Sequence, residues 1–321
     1  MDLIYTDAAR VDVGVLLDYE LDLAFGSDEN SLECKVSSAS HCLEPGACLY
    51  MEGTEYGGIV DKIASDNAAK EVTYTGRTWQ GILNSKVLQP DAGQDYLVCS
   101  GEANTVLGTL ISRMGLSSLF TASTADSGVT VSNYQMNRYI GGYDGIKKML
   151  AAFGGKLKVT YTAGHVVLSA APKVDYTKDE QFDSDLVELK VSRTFHPVNH
   201  LICLGKGDLA ERTVLHLYAD TAGNISETQT QFGLDEVAAI YDYSATESVA
   251  ELKSSGTDRL KELWEPDKIS VNLDSDAESF DIGDIVGAMD NVTRLEVQAE
   301  ITKKIVTISN GKTIYSYKVG E

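Results

Sequence analysis

The sequence lacks several features that whole classes of protein require. No stretch approaches the ~20 apolar residues of a membrane-spanning helix. Residues 1–20 also have no basic segment ahead of a long apolar block, which a signal peptide needs. We therefore expect a soluble protein with no membrane span and no signal peptide.

Cysteine is scarce, and its spacing is not that of a metal site. The chain has five cysteines, an odd number, and no C-x-x-C pair. Disulfide frameworks and zinc sites use even numbers or close pairs, so we favour small buried thiols in a reducing compartment. The cysteines are Cys34, Cys42, Cys48, Cys99 and Cys203.

Positive charge is also in short supply. Forty-eight Asp and Glu residues against 27 Lys and Arg residues give a formal charge of −21, spread along the chain. Such a surface repels phosphate, which disfavours sequence-specific nucleic-acid binding. Simple solubility is an alternative use of the same charge.

Two motifs that resemble ligand sites are incomplete. His196 and His200 have i, i+4 spacing, but Pro197 and the surrounding strand pattern argue against a pair of metal ligands on a helix. The segment SNGKT at 309–313 ends like a phosphate loop, yet Val306 stands at the place of the first glycine. A hairpin turn is the favoured interpretation of this segment.

The acidic segment LDSDAESFDIGD does not fit a calcium loop. Asp274, Asp276 and Glu278 alternate as in an EF-hand. However, Ser279 replaces the glycine at the sixth position and Ile285 replaces the glutamate at the twelfth. With no nucleophile motif either, we predict no catalytic, cofactor-binding or metal-binding residue. A hydrolase that uses two carboxylates stays open, because the fold could pair any two of them.

Hydrophobic periodicity divides the chain into three blocks. Short alternating runs at 11–76 are typical of strands, and one short helix follows them. The next block combines two amphipathic helices with two strands, and the last returns to strands after one long helix. We predict a β-rich α+β fold: a first tube-like β-barrel domain with a trailing helix at 1–95, a small α/β module at 96–180 and a second tube-like β-barrel domain at 181–321.

Capping residues predict where the helices begin and end. Ser100 is a candidate N-cap for the helix in SGEANTVLGTLISRMG, and Gly115 stands just past its end. DGIKKMLAAFGG predicts a helix that starts at Asp144. In YSATESVAELKSSGTDRLKELW, Ser244 and Glu247 have the spacing of a capping box.

Two β-rich segments share an order of residue types. GACLYME, GGIVDKIA and KEVTYTG follow one another in the first block, as GDIVGAMD, LEVQAEITKKI and KTIYSYKVG do in the last. Each series runs from a glycine through an apolar step and a Met–acid pair to a strand with an acid and a lysine, then to a Tyr-bearing strand. The loops differ in length, so chance similarity is an alternative, but we favour an internal repeat.

Longer motifs, taken in their order, resemble the tail-hub proteins of long-tailed siphophages and related prophages. The motifs are GRTWQGILNSKVLQP, VSRTFHPVNHLICLGKGDLAERTVLHLYAD, YSATESVAELKSSGTDRLKELW, FDIGDIVGAMD and ITKKIVTISNGKTIYSYKVG. Residues 199–202, 205–207 and 283–286 stand at the places of that group's Asn-x-apolar step, Gly-x-Gly turn and Gly-Asp-apolar-Val strand. The resemblance covers residues 46–320.

The resemblance implies a non-enzymatic hub at the distal end of a tail tube, similar to a baseplate hub. Such hubs carry two tube-like barrels per chain and assemble as homotrimers, which present six similar barrels to a six-fold tube. The implied partners are tail-tube, distal-tail, tape-measure, and fibre or tip proteins. The implied location is the virion tail, assembled in the bacterial cytoplasm from a phage or prophage gene.

The hub interpretation gives the negative charge a use, because an acidic lumen does not pair with the phosphates of passing DNA. Since the sequence ends at Glu321 just after the last strand, we expect any wall cutting to reside in another protein. Three alternatives stay open: a carboxylate-dependent glycan hydrolase, a monomeric module that binds cell-wall glycans through some of the 16 tyrosines, and a hexameric distal tail ring.

Overall fold

The chain forms two compact units in the computed structural model. Unit 1 consists of Met1–Leu189 and Ser270–Glu321, and unit 2 of Lys190–Ile269. The structure describes residues 2–178, 182–183, 188–194, 196–246, 248–264, 267–275, 280–289, 292–293, 296–309 and 311–320. Within these ranges every helix is too short or too polar to cross a membrane.

The secondary structure consists mainly of short strands. The strands are β1 (Leu3–Thr6), β2 (Asp12–Leu16), β3 (Tyr19–Gly26), β4 (Ser31–Ser37), β5 (Cys48–Tyr50), β6 (Gly57–Asp66), β7 (Glu71–Thr78), β8 (Val87–Leu88), β9 (Leu97–Glu102), β10 (Phe120–Ala122), β11 (Thr130–Met136), β12 (Ile140–Gly141), β13 (Gly155–Thr162), β14 (His165–Pro172), β15 (Phe182–Asp183), β16 (Glu188–Arg193), β17 (His200–Leu204), β18 (Val214–Ala219), β19 (Ile225–Ser226), β20 (Ala238–Asp242), β21 (Asp267–Ser275), β22 (Ile285–Met289), β23 (Glu296–Ser309) and β24 (Lys312–Val319). The α-helices are α1 (Trp79–Asn84), α2 (Ala103–Arg113), α3 (Gly142–Ala152) and α4 (Val249–Leu263). Short 3₁₀ helices lie at Ser38–Ser40, Tyr176–Lys178, Leu209–Glu211 and Gly233–Asp235.

One large sheet dominates the architecture. Its strands follow the order β16-β21-β24-β23-β3-β4-β7-β6-β5-β1-β2, and β22 pairs with β23 and β15. With 44% of residues in strands and 19% in helices, the predicted β-rich α+β class is confirmed. Strands from the first and the last sequence blocks therefore belong to one sheet.

The first helix is shorter than its sequence pattern predicts. The pattern places Val87 on the same helical face as Trp79, but α1 ends at Asn84 and Val87 lies exposed in β8. Ser85 closes the helix, because its hydroxyl donates to the carbonyl oxygen of Ile82 at 2.7 Å. Two residues on, the chain pairs with β12 instead of continuing the helix.

The small α/β part of unit 1 packs α2 and α3 against short strands. Glu102, not Ser100, is the N-cap of α2: its carboxylate accepts the Thr105 N–H at 2.9 Å. Ser100 lies in β9, where its hydroxyl oxygen accepts the N–H of Asn133 from the facing strand at 2.8 Å. The predicted cap is wrong because the β9 strand continues as far as the helix start. α3 begins at Gly142, two residues before the predicted Asp144. Gly154, two residues after the last residue of α3, has φ +70°, the left-handed geometry that commonly ends a helix.

Unit 2 is a four-stranded sheet covered on one face by α4. The strand order is β19-β18-β17-β20, and buried Leu201 and Leu217 pack with Leu252 and Leu260 of the helix. Gly256 is required at the contact, since a Cβ there would lie 2.5 Å from the Cys203 sulfur.

The N-cap of α4 is also corrected by the structure. Ser248 caps the helix and accepts the N–H of Glu251 at 3.3 Å, so the N-cap lies four residues after the predicted one. Ser244 instead donates its N–H to the Asp242 carboxylate at 3.1 Å. Glu247, the other half of the predicted box, lies outside the described residues.

The five cysteines are free thiols, and all but Cys42 are buried, as predicted. Burial raises the pKa of Cys34 to about 12 and also raises the pKa values of Cys48, Cys99 and Cys203. Burial therefore favours the protonated form of these thiols at neutral pH.

Strands β4 to β7 and β21 to β24 share one antiparallel pairing scheme. In each set the first strand pairs with the last, the second pairs with the third, and the third pairs with the last. We call β4 to β7 repeat 1 and β21 to β24 repeat 2. In repeat 1 a four-residue link, 27–30, joins β4 to the preceding strand β3; the corresponding link before β21 holds unit 2.

The two repeats also share their local backbone geometry. A bulge follows Val60 in β6 and Ile301 in β23, at the same place in the pairing with the last strand. Gly46 donates its N–H to the Val60 carbonyl at 2.7 Å, and Gly283 donates to the Ile301 carbonyl at 2.9 Å. The two glycines have φ of +89° and +98°, a region in which glycine is favoured.

These registers align the repeats residue by residue and confirm the repeat predicted from residue order. The equivalent ranges are 33–36 and 272–275, 46–50 and 283–287, 57–60 and 298–301, 62–66 and 303–307, and 71–76 and 314–319. Two elements of the prediction are out of register. Met51 follows its glycine by five residues and Met289 by six, and Gly76 is equivalent to Val319 and not to Gly320.

Candidate functional site

The structural centre of unit 1 is the contact between β3 and β23, which we call the internal seam. Here the strand that leads into repeat 1 pairs with repeat 2, from Gly26 opposite Lys303 to Leu21 opposite Ile308. Gly26 lies against the bulge at Thr302, and a Cβ on it would stand 2.2 Å from the Thr302 carbonyl oxygen. Only a residue without a side chain allows this approach.

Polar side chains form hydrogen bonds across the internal seam. Lys303 donates to the Glu29 carboxylate at 2.8 Å, and Thr307 donates to the Asp22 carboxylate at 2.5 Å. The hydrogen bond from Lys303 lowers the pKa of Glu29. The seam therefore carries directional contacts in addition to its backbone hydrogen bonds.

A buried lysine ties repeat 2 to the loop before β6. Lys304 is 0% exposed, and its ammonium donates to the Glu55 carboxylate at 2.7 Å. The second oxygen of Glu55 accepts from the Gln80 side chain at 2.8 Å, and the ammonium lies 5.3 Å from the ring centroid of Tyr56. A buried charge of this kind is tolerated only with such partners.

A second buried lysine ties the FDIGD loop to β13. Lys156 donates to Asp284 at 2.7 and 2.8 Å and to Asp281 at 2.7 Å. Asp284 is 0% exposed and also accepts the N–H of Val174 at 2.9 Å. Gly283 makes room for this contact, since a Cβ on it would stand 3.1 Å from the Lys156 Cβ.

The pKa shifts in this cluster keep the charged forms in place. Burial by itself lowers the pKa of Lys156, but hydrogen bonds to Asp281 and Asp284 outweigh it, so the pKa is raised. Burial raises the pKa of Asp281, yet Lys156 and Lys158 outweigh it and the pKa is lowered. Lys156 and Asp281 therefore keep their charges across the neutral range.

A cavity of about 420 Å³ lies between these two ion clusters. Its walls include Glu55, Gln80, Tyr143, Lys158, Phe280 and Asp281. Both acids are held by lysines, and Asp281 has a lowered pKa. A glycosidase needs one carboxyl group with a raised pKa as its general acid, which Asp281 does not provide.

The two histidines of the predicted strand segment have separate environments. His200 contacts Glu236 through Nδ1 at 2.6 Å and His216 through Nε2 at 2.8 Å. The His196 ring lies 3.5 Å from the Asp235 carboxylate. No group of three or more His, Cys, Asp or Glu residues suited to a metal ion occurs in the described part of the chain.

The other two motif segments are placed only in part. In SNGKT, Ser309 pairs with Lys312 across a hairpin between β23 and β24, and Gly311 has φ +73°. The hairpin prediction is confirmed. Of the calcium-like segment, residues 276–279 lie outside the described residues.

Sequence reasoning missed Lys156, Lys304 and their acid partners. One signal was available for Lys304: it shares a strand face with Val306 and Ile308, and both of these are buried. A lysine in such a face points to a buried ion pair. Nothing local identifies Glu55 as its partner, because the two residues are 249 positions apart.

No family model and no curated protein sequence matches the chain. Solved structures do match, over almost the full length of both chains. The 43 kDa tail protein of prophage MuSo2 from Shewanella oneidensis is 11% identical with a TM-score of 0.56, covering 100% of this chain and 98% of its own. Prophage tail protein gp18 from Listeria monocytogenes EGD-e is 13% identical with a TM-score of 0.53, covering 99% and 94%.

A third similar structure comes from an assembled particle. A chain of the phage P2 baseplate, in its activated conformation with Ca, is 9% identical with a TM-score of 0.51, covering 99% of this chain and 98% of its own. At such identities the likeness shows a shared fold. The fold is that of phage and prophage tail and baseplate proteins, which confirms at the level of fold the resemblance drawn from the sequence motifs.

Proposed function

We propose that the chain is a non-enzymatic structural protein of a phage or prophage tail, and that three copies form the hub ring at the distal end of the tail tube. The observation that carries the proposal is the internal repeat, in which strand pairing, bulge and glycine geometry recur in one sheet. A chain with two equivalent repeats fits a six-fold tube with three copies.

In this proposal each repeat belongs to a tube-like β-barrel domain, at 1–95 and 181–321, with the α/β module at 96–180 between them. The neighbours in the tail are tube, distal-tail, tape-measure, and fibre or tip proteins, and assembly takes place in the bacterial cytoplasm. The charge of −21 supports an acidic lumen through which DNA slides. A basic lumen in the assembled ring would contradict that part of the proposal.

The test is the molar mass of the purified chain by light scattering behind size exclusion, over a range of concentrations. A trimer of the 34.7 kDa chain is the expected result. A hexamer contradicts the hub and supports a different tail ring. A monomer at every concentration contradicts self-assembly of the isolated chain.

A parallel assay addresses the enzymatic alternative. We expect no turnover of cell-wall glycans or peptidoglycan, because the cavity carboxylates are held in ion pairs. Turnover that disappears in Glu55→Gln, while the variant still folds, would support the hydrolase instead. Saturable glycan binding by a monomer would support the binding module.

A further inference from the structure

The sheet order contains one four-strand series twice. The first series consists of β16 followed by β21, β24 and β23 of repeat 2, and the second of β3 followed by β4, β7 and β6 of repeat 1, directly after it in the same sheet. By the aligned registers, β6 is equivalent to β23, and β4 to β21. By their place beside these strands, β3 and β16 are also equivalent. The first series is joined to the second at the internal seam, where β23 pairs with β3.

The outer side of β6 is free at the place where β23 is covered. In β23, Lys304 and Val306 are 0% exposed, and β3 pairs alongside them. The equivalent residues of β6 are Ile63 and Ser65, which are half-buried and exposed. Beyond β5, which pairs only with residues 57–59, no described strand pairs with the outer side of β6. We call residues 62–66 the open half of β6.

The strand that could cover the open half of β6 is present at the other end of the sheet. β16 is the terminal strand of the series, and its outer side has no partner among the described strands. A chain that carries an open β6 at one end and an open β16 at the other has the two different surfaces that a head-to-tail contact requires. Open strand edges of this kind readily pair with another chain.

We infer that the open half of β6 in one copy pairs with β16 of a second copy of this chain, and so repeats between copies the β23–β3 contact made within each copy. This assignment rests on the proposed ring, in which three such contacts alternate with three internal seams. The occupant is a second copy rather than an unrelated strand, because the internal seam already shows how the equivalent strands fit together.

The charge pattern of the open half agrees with this arrangement. Lys62 is equivalent to Lys303, which pairs with Glu29 across the internal seam at 2.8 Å. Lys62 itself is exposed and forms no ion pair within the described part of the chain. A neighbouring copy with a charge of −21 supplies acidic groups to such a lysine.

Disulfide trapping in the full-length chain tests the contact. The exposed Cys42 is first replaced by serine, and Ala64→Cys in the open half is mixed with single variants Leu189→Cys, Lys190→Cys, Val191→Cys or Ser192→Cys in β16. Paired strands bring opposite Cα atoms to about 4.5–5.5 Å, within disulfide range. We expect mixed dimers from alternate β16 positions. Ala68→Cys, in the turn after β6, is the matched control and should give only background amounts.

The outcomes separate this contact from the proposed hub. A chain with both cysteines should yield a covalent trimer if the ring closes. A trimer by light scattering without mixed disulfides overturns the β6–β16 contact and leaves the hub proposal standing. Mixed disulfides in an open-ended series of oligomers support the contact and overturn three-fold closure. Links between two Ala64→Cys chains, or no links at all, overturn the contact.

A charge variant adds a second readout without introducing cysteine. Lys62→Glu should raise the concentration at which half of the chain is assembled by about two- to fivefold, the value of one exposed ion pair lost. Lys148→Glu, on an exposed face of α3, makes the same change in net charge and should leave assembly unchanged. Equal effects of the two variants would attribute the shift to net charge and count against the contact.

Discussion

Repeat 1 and repeat 2 have the same hydrogen-bond registers with almost no sequence in common. Three aligned pairs are identical: Gly46 with Gly283, Lys62 with Lys303, and Tyr74 with Tyr317. The glycines supply the positive φ before the second strand, and both tyrosines are 0% exposed in the core. The same strand pairing therefore requires few specific residues. They lie where a positive φ favours glycine or where the core volume favours one side chain.

The repeats differ where each one meets its surroundings. Repeat 2 buries Lys304 and Asp284 in ion pairs with partners outside the repeat, whereas the equivalent residues of repeat 1 are Ile63 and Ala47. Repeat 2 is covered along β23, and repeat 1 is open along the second half of β6. The two repeats therefore differ in their contacts with the rest of the chain, whereas the strand pairing within each repeat is the same.

Exchanging the residues at the Lys304 and Ile63 positions should produce the largest difference between the repeats. Lys304→Ile leaves Glu55 partly buried without its cation, and we expect a loss of about 3–5 kcal/mol in the free energy of unfolding. Ile63→Lys, at a half-buried position, should cost less than about 1 kcal/mol. Urea unfolding of both variants measures the difference. Equal losses would mean that the buried ion pair contributes nothing particular to repeat 2.

The internal seam should be the next most sensitive place. Gly26→Ala drives a methyl group into the Thr302 carbonyl at a positive φ of +134°, and we expect a loss of about 3 kcal/mol. Ala64→Val in the open half of β6 is the matched variant, and its effect should stay within about 0.5 kcal/mol. Thermal and urea unfolding give both values. A neutral Gly26→Ala would show that the strands shift freely at this point.

The two equivalent glycines should differ in a predictable direction. Gly46→Ala meets only the Ala8 Cβ at 3.7 Å, so its cost comes from φ alone, about 1 kcal/mol. Gly283→Ala adds a close contact with Lys156 at 3.1 Å and should cost about 2 kcal/mol. The order of the two urea midpoints is the measurement, and the reverse order would contradict the packing seen at Lys156.

Acid titration should separate Asp281 from its counterpart in repeat 1. Asp281 has a lowered pKa in the folded chain, so its stabilising effect is present above its ordinary pKa and is lost as pH falls through the folded value. Asp281→Asn should therefore cost about 1 kcal/mol at pH 6, and the cost should shrink as the pH falls below the ordinary pKa of an aspartate. The same hydrogen-bonded turn in repeat 1 holds the exposed Glu44, and Glu44→Gln should have no effect at any pH in this range. A pH-independent loss would point to packing instead.

The raised pKa of Lys156 sets the alkaline limit of the same cluster. Its contribution is complete below the ordinary lysine pKa and is lost as pH rises through the folded value. Wild-type stability from this cluster should therefore hold from weakly acidic to weakly alkaline pH.

Much of the framework could be predicted from the sequence because its signals are local. The hairpin between β23 and β24 follows from turn residues between alternating strands, and the repeat follows from the order of residue types. The helix ends were less predictable. Glutamate is an uncommon N-cap, so Glu102 was not expected at this position. Ser100 cannot cap α2 because it lies within strand β9.

The rest depends on contacts between distant parts of the chain. The internal seam joins residues more than 270 positions apart, and strand alternation says which face of β23 is buried but not which strand lies beside it. The partners of Lys156 and Lys304 are fixed by the folded sheet in the same way. The sequence shows that lysines and acids are present, but it does not show which lysine pairs with which acid.

The link that holds unit 2 has a practical meaning for anyone who would modify this protein. The chain leaves the sheet along β16 and returns along β21, its neighbour, so the two ends of the inserted segment stay about one strand spacing apart. At the equivalent place before repeat 1, four residues are enough to connect β3 to its neighbour β4. A foreign domain with adjacent termini, or a short turn, could therefore be grafted between these strands, and the ring of three chains proposed above would display three copies of it.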